Sequence, residues 1–229
     1  MTRVLHVSDR FGDEPRHQAA RFTWESAYAD GMIRVTPAQP YVRDARAELG
    51  DPRALPFLKE ILQAGVLAMR EDDDVLCWTN SDVGFAPGAT AVIGEHVAKH
   101  GAASMRRTES NGQNHIGRDL FAFTLKWLRT HWNELPDYVI GIPVFDLGLV
   151  AMIRLHAGIR TPLTTKNLGT DMPPADMPPG YALHRSHVPE WHVRSYHALP
   201  AMRHNHRLFY EWAQRYMPAM KFTKGHNLL

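Results

Sequence analysis

The sequence predicts an α/β fold of three layers, in which helices cover both sides of a mixed, mostly parallel sheet. Short apolar runs of strand length alternate with longer stretches in which apolar residues recur at helical spacing. A chain of 229 residues with 44% hydrophobic residues can also bury a substantial core. Alternating strands and helices are typical of parallel sheets, because each crossover between parallel strands needs a long connection, usually a helix.

The first half of the chain shows this alternation most regularly. Its strand signals are short and apolar, whereas its helix signals are longer, and two of them end at a glycine. The proline-bounded segment from Pro37 to Pro52 is predicted as a loop. The predicted strands are Arg3–Val7, Met32–Thr36, Val75–Thr79 and Ala102–Met105, and the predicted helices are Arg16–Tyr28, Leu55–Met69 and Pro87–His100.

The second half is less regular. Residues 106–117 are polar and predicted to be flexible, and residues 172–179 repeat Met-Pro-Pro and are predicted as a surface loop. Neither an internal repeat nor a domain linker is apparent, so we expect one domain with a helical and loop-rich C-terminal extension. The predicted strands are Leu120–Thr124 and Pro136–Asp146, and the predicted helices are Leu125–Leu135 and Leu147–His156.

Cysteine content and hydropathy bear on the cellular setting. Cys77 is the only cysteine, so an intrachain disulfide is impossible and a reducing compartment is expected. Its place in a predicted strand favours a buried apolar role over a catalytic thiol. No run of about 18 apolar residues occurs, which argues against a membrane span. The chain is therefore predicted to be cytoplasmic.

Positive charge is concentrated in the C-terminal segment. From Tyr181 onward there are seven Lys or Arg residues against two Asp or Glu residues, and seven of the fourteen histidines. Such a segment suits contact with the phosphates of a small ligand or with a polyanion such as nucleic acid. A solvated basic face is the more frequent explanation of the same pattern.

The most informative motif is the polar corner Asn80-Ser81-Asp82, which directly follows the predicted strand Val75–Thr79. In open α/β sheets, ligands bind beyond the carboxyl ends of the strands. A carboxylate fixed there can hold a hard divalent cation against phosphate oxygens. All three residues are also common turn formers, so the corner alone leaves a purely structural role open.

Several motifs follow one another in a characteristic order. They are an N-terminal strand followed by a helix with Arg21 and Trp24, the polar corner after an apolar strand, Gly117-Arg118-Asp119-Leu120-Phe121-Ala122-Phe123, Pro136-Asp137-Tyr138-Val139-Ile140-Gly141 with Asp146, and His184-x-x-His187 followed by Trp191. Over roughly residues 4–191 this order resembles the nucleotide-sugar glycosyltransferases of the GT-A fold, which is Rossmann-like. The resemblance implies a nucleotide-binding half at about 1–105, an acceptor and metal half at 106–200, and a basic helix and tail at 201–229.

The resemblance implies a metal-assisted transfer of sugar from a nucleotide-diphosphate sugar to an acceptor hydroxyl. Asp82 matches the metal-binding carboxylate of the family, whereas Asn80 stands where a first Asp is usual. A C-terminal histidine often completes the metal shell, for which His187 is the first choice and His184 the second. An imidazole ligand makes manganese the more natural ion than magnesium.

Catalytic roles also follow from the resemblance. Asp146 matches the base that takes the proton of the acceptor hydroxyl in inverting members, although the same residue suits a helix N-cap. Asp119 is expected to grip sugar or acceptor hydroxyls, with Arg118 beside it near the phosphates; a salt-bridging pair explains both equally well. The residues expected to contact the nucleotide or its phosphates are Ser8, Asp9, Arg10, Arg21, Asn80 and Ser81.

Two other functions remain open at this stage. His184, His187 and His192, with Asp82 or Asp171, could form a hydrolytic metal site. A nucleic-acid-binding role would use the basic helix predicted at Arg203–Tyr216, although no reading motif accompanies it. The second idea also combines with sugar transfer, because an acceptor such as a hydroxylated base in DNA would require a basic rim. Donor sugar, acceptor and oligomeric state are not fixed by the sequence.

Overall fold

The computed structural model describes residues 2–8, 15–37, 41–161, 169–184 and 198–217, and these ranges contain seven strands and seven helices. The strands are β1 (Val4–Ser8), β2 (Ile33–Val35), β3 (Val75–Thr79), β4 (Val83–Phe85), β5 (Ala102–Glu109), β6 (Asn114–Thr124) and β7 (Ala182–His184). The helices are α1 (Pro15–Ala29), α2 (Ala45–Leu49), α3 (Leu58–Ala68), α4 (Ala89–His100), α5 (Leu125–His131), α6 (Phe145–His156) and α7 (Pro200–Tyr216).

The short helix α2 lies inside the segment predicted as a loop. Asp44 caps its start by accepting a hydrogen bond from the Ala47 N–H at 2.9 Å, and Gly50 ends it with a φ of 70°. A helix of five residues has no room for a repeated apolar pattern, so its caps are its only sequence signal.

The strand order is β2-β1-β3-β6-β5-β7-β4. Parallel pairs join β1 to β2, β1 to β3 and β5 to β7, whereas antiparallel pairs join β3 to β6, β5 to β6 and β4 to β7. The fold is therefore α/β with a mixed sheet, as predicted, but the expectation of a mostly parallel sheet is wrong. The tight turn at residues 110–113 joins β5 to β6, and strands joined so closely pair antiparallel.

The sheet must curl, because β3 and β4 are consecutive in the chain yet four strand spacings apart in the sheet. Four spacings in a flat sheet would cover about 19 Å. The four residue steps from Thr79 to Val83 reach at most about 14 Å when fully extended. The curl brings the β4 edge back towards β3, and α1 covers that edge, where Trp24 Nε1 donates to the Val83 carbonyl at 2.8 Å.

Each face of the sheet carries an apolar core. One core joins α3, α5, α6 and α7 to one set of strand residues, and the other joins α1 and α4 to the alternate set. In β3, for example, Leu76 and Trp78 belong to the first core, whereas Val75 and Cys77 belong to the second. Cys77 is fully buried, and burial raises the pKa of its thiol above the usual range, which disfavours a reactive thiolate.

Two segments of the second half differ from their predicted form. Residues 106–117, predicted to be flexible, form most of the β5–β6 hairpin. In the stretch Pro136–Asp146, predicted as a strand, residues 136–144 are irregular or in turns, with one isolated bridge between Val139 and Phe57, and the last two residues begin α6. Across the described ranges, no helix combines the length and apolar character needed to cross a membrane.

Candidate functional site

The corner Asn80-Ser81-Asp82 closes the gap between β3 and β4, so its two ends meet different strands. At the β3 end, the corner continues the antiparallel register in which Thr79 faces Leu120. The Asn80 N–H donates to the Asp119 carbonyl at 3.2 Å, and Asn80 Nδ2 donates to Asp119 Oδ1 at 2.9 Å. A carboxylate from β6 therefore lies beside the amide that occupies the first position of the corner.

At the other end of the corner, Asp82 meets a histidine from β7. β7 lies between β4 and β5, and its register sets His184 opposite Val83 on one side and Glu109 on the other. His184 Nε2 is 3.4 Å from Asp82 Oδ2, and His184 Nδ1 is 2.8 Å from Glu109 Oε2. The imidazole is thus held between two carboxylates, one on each ring nitrogen.

Arg107 connects the two ends of the site. It lies two residues before Glu109 on β5, so both side chains project from the same face. Its Nε donates to Glu109 Oε1 at 2.8 Å, and its Nη1 donates to Asp119 Oδ2 at 2.7 Å. Side-chain contacts therefore run without a break from the first residue of the corner to the last, in the order Asn80, Asp119, Arg107, Glu109, His184 and Asp82.

Among the described residues of this region, negative charge is in excess. Burial alone would lower the pKa of His184, but its hydrogen bonds with Asp82 and Glu109 outweigh that effect and raise it. Even a protonated imidazole and one guanidinium leave the carboxylates in the majority. Concentrated carboxylates in a partly desolvated site are costly unless a cation accompanies them. The groups concerned are the carboxylates of Asp82, Glu109, Asp119 and Asp146, the guanidinium of Arg107 and the imidazole of His184.

Asp146 lies in the first turn of α6, near the carboxylate of Asp119. The N-cap of this helix is Val144, so the prediction that Asp146 caps it is wrong. Burial, followed by the charge of Asp119, raises the pKa of Asp146 from 3.8 to about 6, although a backbone hydrogen bond from Leu147 favours the charged form. A carboxyl group with that pKa can exchange protons near neutral pH.

Backbone strain is present immediately before Asp146. Val144 has a φ of 86°, a left-handed conformation that a β-branched residue rarely adopts. Such a residue costs about 1–3 kcal/mol and persists only where its surroundings hold it. The strained turn fixes the point at which α6 begins, and therefore where the Asp146 carboxyl group projects.

Two of the residues predicted on the nucleotide side, Ser8 and Ser81, lie near the carboxyl end of β1 and the start of α1. Ser8 is buried at the end of β1, and its hydroxyl donates to the Thr79 carbonyl at 2.9 Å. Ser81 is also buried and hydrogen-bonds His17 Nδ1 at 2.9 Å. The described residues around Ser8 line a small pocket at the ends of β1 and β2, with room for about one water molecule, and His6, Arg34 and Thr36 are among them.

Arg118 does not lie beside Asp119 as predicted. Successive residues of a strand project from opposite faces, and Arg118 is buried on the face opposite Asp119. Its Nε donates to Asp176 Oδ1 at 3.2 Å, and its Nη1 donates to the Ile116 carbonyl at 2.8 Å. The phosphate-binding role expected for Arg118 is therefore wrong, because its guanidinium is part of a buried ion pair.

Other predicted residues are less informative. Asp9, Arg10 and His187 lie outside the described residues, as does His192 of the hydrolase alternative. Arg21 lies on α1 and is partly exposed. Trp24 is buried and packs edge-on against His6 with ring centroids 4.9 Å apart, so it belongs to the core.

Sequence reasoning missed Arg107 and Glu109, which complete the site. Both fall in the segment predicted to be flexible, and their alternation on one strand face is the only signal that could have suggested them. No protein-family model matches this chain, and no curated protein is significantly similar to it. The function therefore has to be inferred from the geometry of these residues.

Proposed function

We propose that this protein is a metal-assisted glycosyltransferase of the GT-A fold, which moves a sugar from a nucleotide-diphosphate sugar to an acceptor hydroxyl. The observation that carries the proposal is the 3.4 Å approach of Asp82 Oδ2 to His184 Nε2, with Glu109 hydrogen-bonded to the other ring nitrogen. The corner follows a central strand of the sheet, and helices cover both sheet faces, as the GT-A resemblance implies.

The donor atoms fit a divalent transition metal. Two ligands bound at about 2.1 Å lie about 3.0–3.5 Å apart, depending on the angle between them, and the observed 3.4 Å is within that range. A metal-binding histidine usually donates its second ring N–H to a carboxylate, which is the place of Glu109. One imidazole and one carboxylate favour manganese over magnesium. His184, rather than His187, is therefore the ligand that we propose beside Asp82.

The protein's own groups then divide the chemistry. A divalent ion bound at Asp82 and His184 would offset the negative charge that develops on the diphosphate leaving group. Asp146 would accept the proton of the acceptor hydroxyl, since its pKa of about 6 leaves it ionised yet basic near neutral pH. Asp119, fixed by Arg107 and Asn80, would accept hydrogen bonds from sugar or acceptor hydroxyls.

The nucleotide is proposed to bind near Ser8, at the carboxyl end of β1. Arg34 nearby supplies a positive charge, and Ser81 with His17 borders the start of α1, whose N-terminus favours anions. The acceptor is proposed as a hydroxyl compound. A polyanionic acceptor would be served by α7, whose apolar side is buried while Arg203, Arg207 and Arg215 remain exposed.

The first experiment is a thermal-shift screen of the whole chain against UDP-, GDP-, CDP- and TDP-sugars, with and without manganese. We expect one nucleotide family to raise Tm, and manganese to enlarge the rise. A flat response to all four families in both conditions would remove the basis of the donor assignment.

Variants then test the metal ligands. Asp82→Asn should abolish the manganese-dependent part of the shift. Glu109→Gln should weaken manganese binding about 10–100-fold, because it loosens the orientation of His184 without removing a ligand. The exposed Glu71→Gln is the matched control and should behave as wild type. Equal manganese affinity in Asp82→Asn and wild type, measured by calorimetry, would contradict the site.

A further inference from the structure

A second cluster of metal-ligand side chains lies away from the corner, where α5 and α6 end. His131 is the last residue of α5, Glu134 lies in the following turn, and His156 is the last residue of α6. Asp146 and His156 are ten residues apart on α6, which places this cluster about 15 Å along the helix from the proposed base. The cluster is therefore independent of the corner site and of the function proposed for it.

Three potential ligand atoms converge within the cluster. His156 Nε2 is 2.9 Å and His131 Nδ1 is 3.5 Å from Glu134 Oε2, and all three atoms lie within 4.8 Å of one another. Each of these atoms is buried, and apart from the 2.9 Å contact between His156 Nε2 and Glu134 Oε2 none has a hydrogen-bond partner among the described residues. Buried polar atoms are almost always hydrogen-bonded, so three such atoms pointing at one spot need an explanation.

A tetrahedral metal ion explains the convergence. Zinc binds histidine nitrogen and carboxylate oxygen at about 2.0–2.2 Å, so its ligand atoms lie about 3.3–3.6 Å apart. The 3.5 Å separation falls within that range and the 2.9 Å separation is shorter, so small side-chain shifts would be needed to complete the geometry. Two imidazoles and one carboxylate are a donor set that zinc accepts with a fourth position left open.

The surroundings also suit a cation. Trp127 packs against both rings, with centroids 4.7 Å from His131 and 5.9 Å from His156, and so restricts their orientation. The C-terminal end of α6 directs negative dipole charge towards the site. Side-chain exposure of 17% for His131, 19% for His156 and 30% for Glu134 shows that the cluster lies close to the protein surface.

We propose that His131, Glu134 and His156 form a zinc-binding site that links the ends of α5 and α6, with its fourth position open to water. The ion would bridge two helices that pack on the same face of the sheet. Its first effect would therefore be on the stability of that face.

Zinc titration of the chelator-stripped full chain tests the proposal. Calorimetry of the Asp82→Asn chain, which lacks the corner ligand, should show one tight zinc site, and zinc at a hundredfold excess over Kd should raise Tm by about 5–10 °C. Cobalt in place of zinc should give the intense visible absorption of a tetrahedral ion, a readout that needs no variant. An absent zinc site, or a cobalt spectrum typical of six-coordination, would overturn the proposal.

Single substitutions assign the ligands. His156→Ala and His131→Ala should each weaken zinc binding at least tenfold, and Glu134→Gln provides a milder change should either variant fail to fold. His100→Ala is the matched control, because exposed His100 lies beside His96 on α4 and such a pair can collect adventitious zinc. Asp82→Asn should also leave the zinc site unchanged. Zinc binding that disappears in His100→Ala and survives in His156→Ala would contradict the proposal.

Discussion

Asp146 carries a charge that the folded protein disfavours. Its pKa of about 6 in the folded chain exceeds the ordinary 3.8, because burial and Asp119 both oppose ionisation. As pH rises from about 4 to about 6, the unfolded chain loses this proton first, so the free energy of unfolding falls. Above about pH 6 the Asp146 carboxyl group is ionised in both states, and the decrease in the free energy of unfolding is complete. A strained Val144 two residues earlier adds to the same local instability.

Asp146→Asn should therefore stabilise the protein and inactivate it. We expect about 1–3 kcal/mol of added stability at pH 8, and a gain that shrinks towards zero near pH 4, from urea unfolding at both pH values. Nucleotide and manganese binding should be retained, whereas sugar transfer should be lost. The exposed Asp73→Asn serves as the control and should change none of these properties. Unchanged turnover in Asp146→Asn would eliminate the base assignment.

At the scale of secondary structure, sequence patterns predicted buried elements well. The strand Val75–Thr79 was predicted with its observed bounds, and α1, α3, α4 and α6 lie within three residues of their predicted ends, because one apolar face or run defines each of them. The outer half of β5 and the start of β6 are partly exposed and polar. A strand is recognised in a sequence by its apolar, buried residues. These strand segments are mostly polar, so the sequence analysis did not predict this part of the hairpin.

The segment Pro136–Asp146 was misread for a different reason. Tyr138, Val139 and Ile140 are buried, so the run has the composition of a strand. Its backbone, however, bonds to a side chain: Asn205 of α7 accepts from the Val139 N–H at 2.8 Å and donates to the Val139 carbonyl at 2.9 Å. The amide side chain of Asn205 makes the backbone hydrogen bonds that a neighbouring strand would otherwise make. The residues around Val139 give no sequence signal of this arrangement.

The candidate site was only partly predictable for a related reason. Asn80 and Asp82 were singled out as polar groups that follow an apolar strand, whereas Asp119, Asp146 and His184, the second choice after His187, came from the GT-A resemblance. Their pairing depends on the hairpin register and on β7 entering between β4 and β5, which are contacts between distant parts of the chain. Arg107 and Glu109 belong to the site only because those contacts place their side chains beside Asp119 and His184.

One buried ion cluster joins several elements on the sheet. Asp176 accepts hydrogen bonds from Ser104 of β5 at 2.6 Å, Arg118 of β6 at 3.2 Å and Arg154 of α6 at 2.7 Å. Burial alone would raise the pKa of Asp176, but Arg118, Ser104 and Arg154 outweigh it and lower the pKa. Its contribution to stability is therefore present above the ordinary Asp pKa and lost as pH falls.

Asp176→Asn should destabilise the protein by about 3–5 kcal/mol at pH 7, because it leaves two buried guanidinium groups without their counter-charge. Chemical denaturation measures the loss. The matched control is Asp72→Asn, which breaks an ion pair with Arg129 whose two side chains are each 63% exposed and which should cost less than about 1 kcal/mol. Similar losses in the two variants would refute the importance of burial.

For the molecule as a whole, the short corner governs the closure of the sheet. Because the residues between β3 and β4 cannot span a flat sheet, the corner holds the curled edge in place. The β3–β6 register sets Asn80 beside Asp119, and the β4–β7 register sets Asp82 beside His184; the curl brings these two pairs together at one site. The short length of the corner therefore determines both the curvature of the sheet and the geometry of the site.

A longer corner should disturb the geometry of the site, because it no longer requires the sheet to curl. Inserting two glycines between Asn80 and Ser81 should abolish manganese-dependent nucleotide binding while circular dichroism shows that most secondary structure persists. The same insertion in the α1–β2 turn, between Asp30 and Gly31, is the control and should be tolerated, because that turn is exposed and lies outside the curl. Wild-type nucleotide affinity in the corner insertion would show that the curl does not set the site.

The place of β7 in the sheet also fixes when the site can exist. His184 follows Asp82 by 102 positions in the chain, and it reaches its neighbours only after β7 has entered between two earlier strands. A chain emerging from the ribosome would therefore hold every carboxylate of the site before it could bind the ion with them. Pairing across such a separation is slow to form, so we expect metal affinity to appear among the last events of folding. During refolding, the time at which metal binding begins would therefore mark the time at which the sheet is complete.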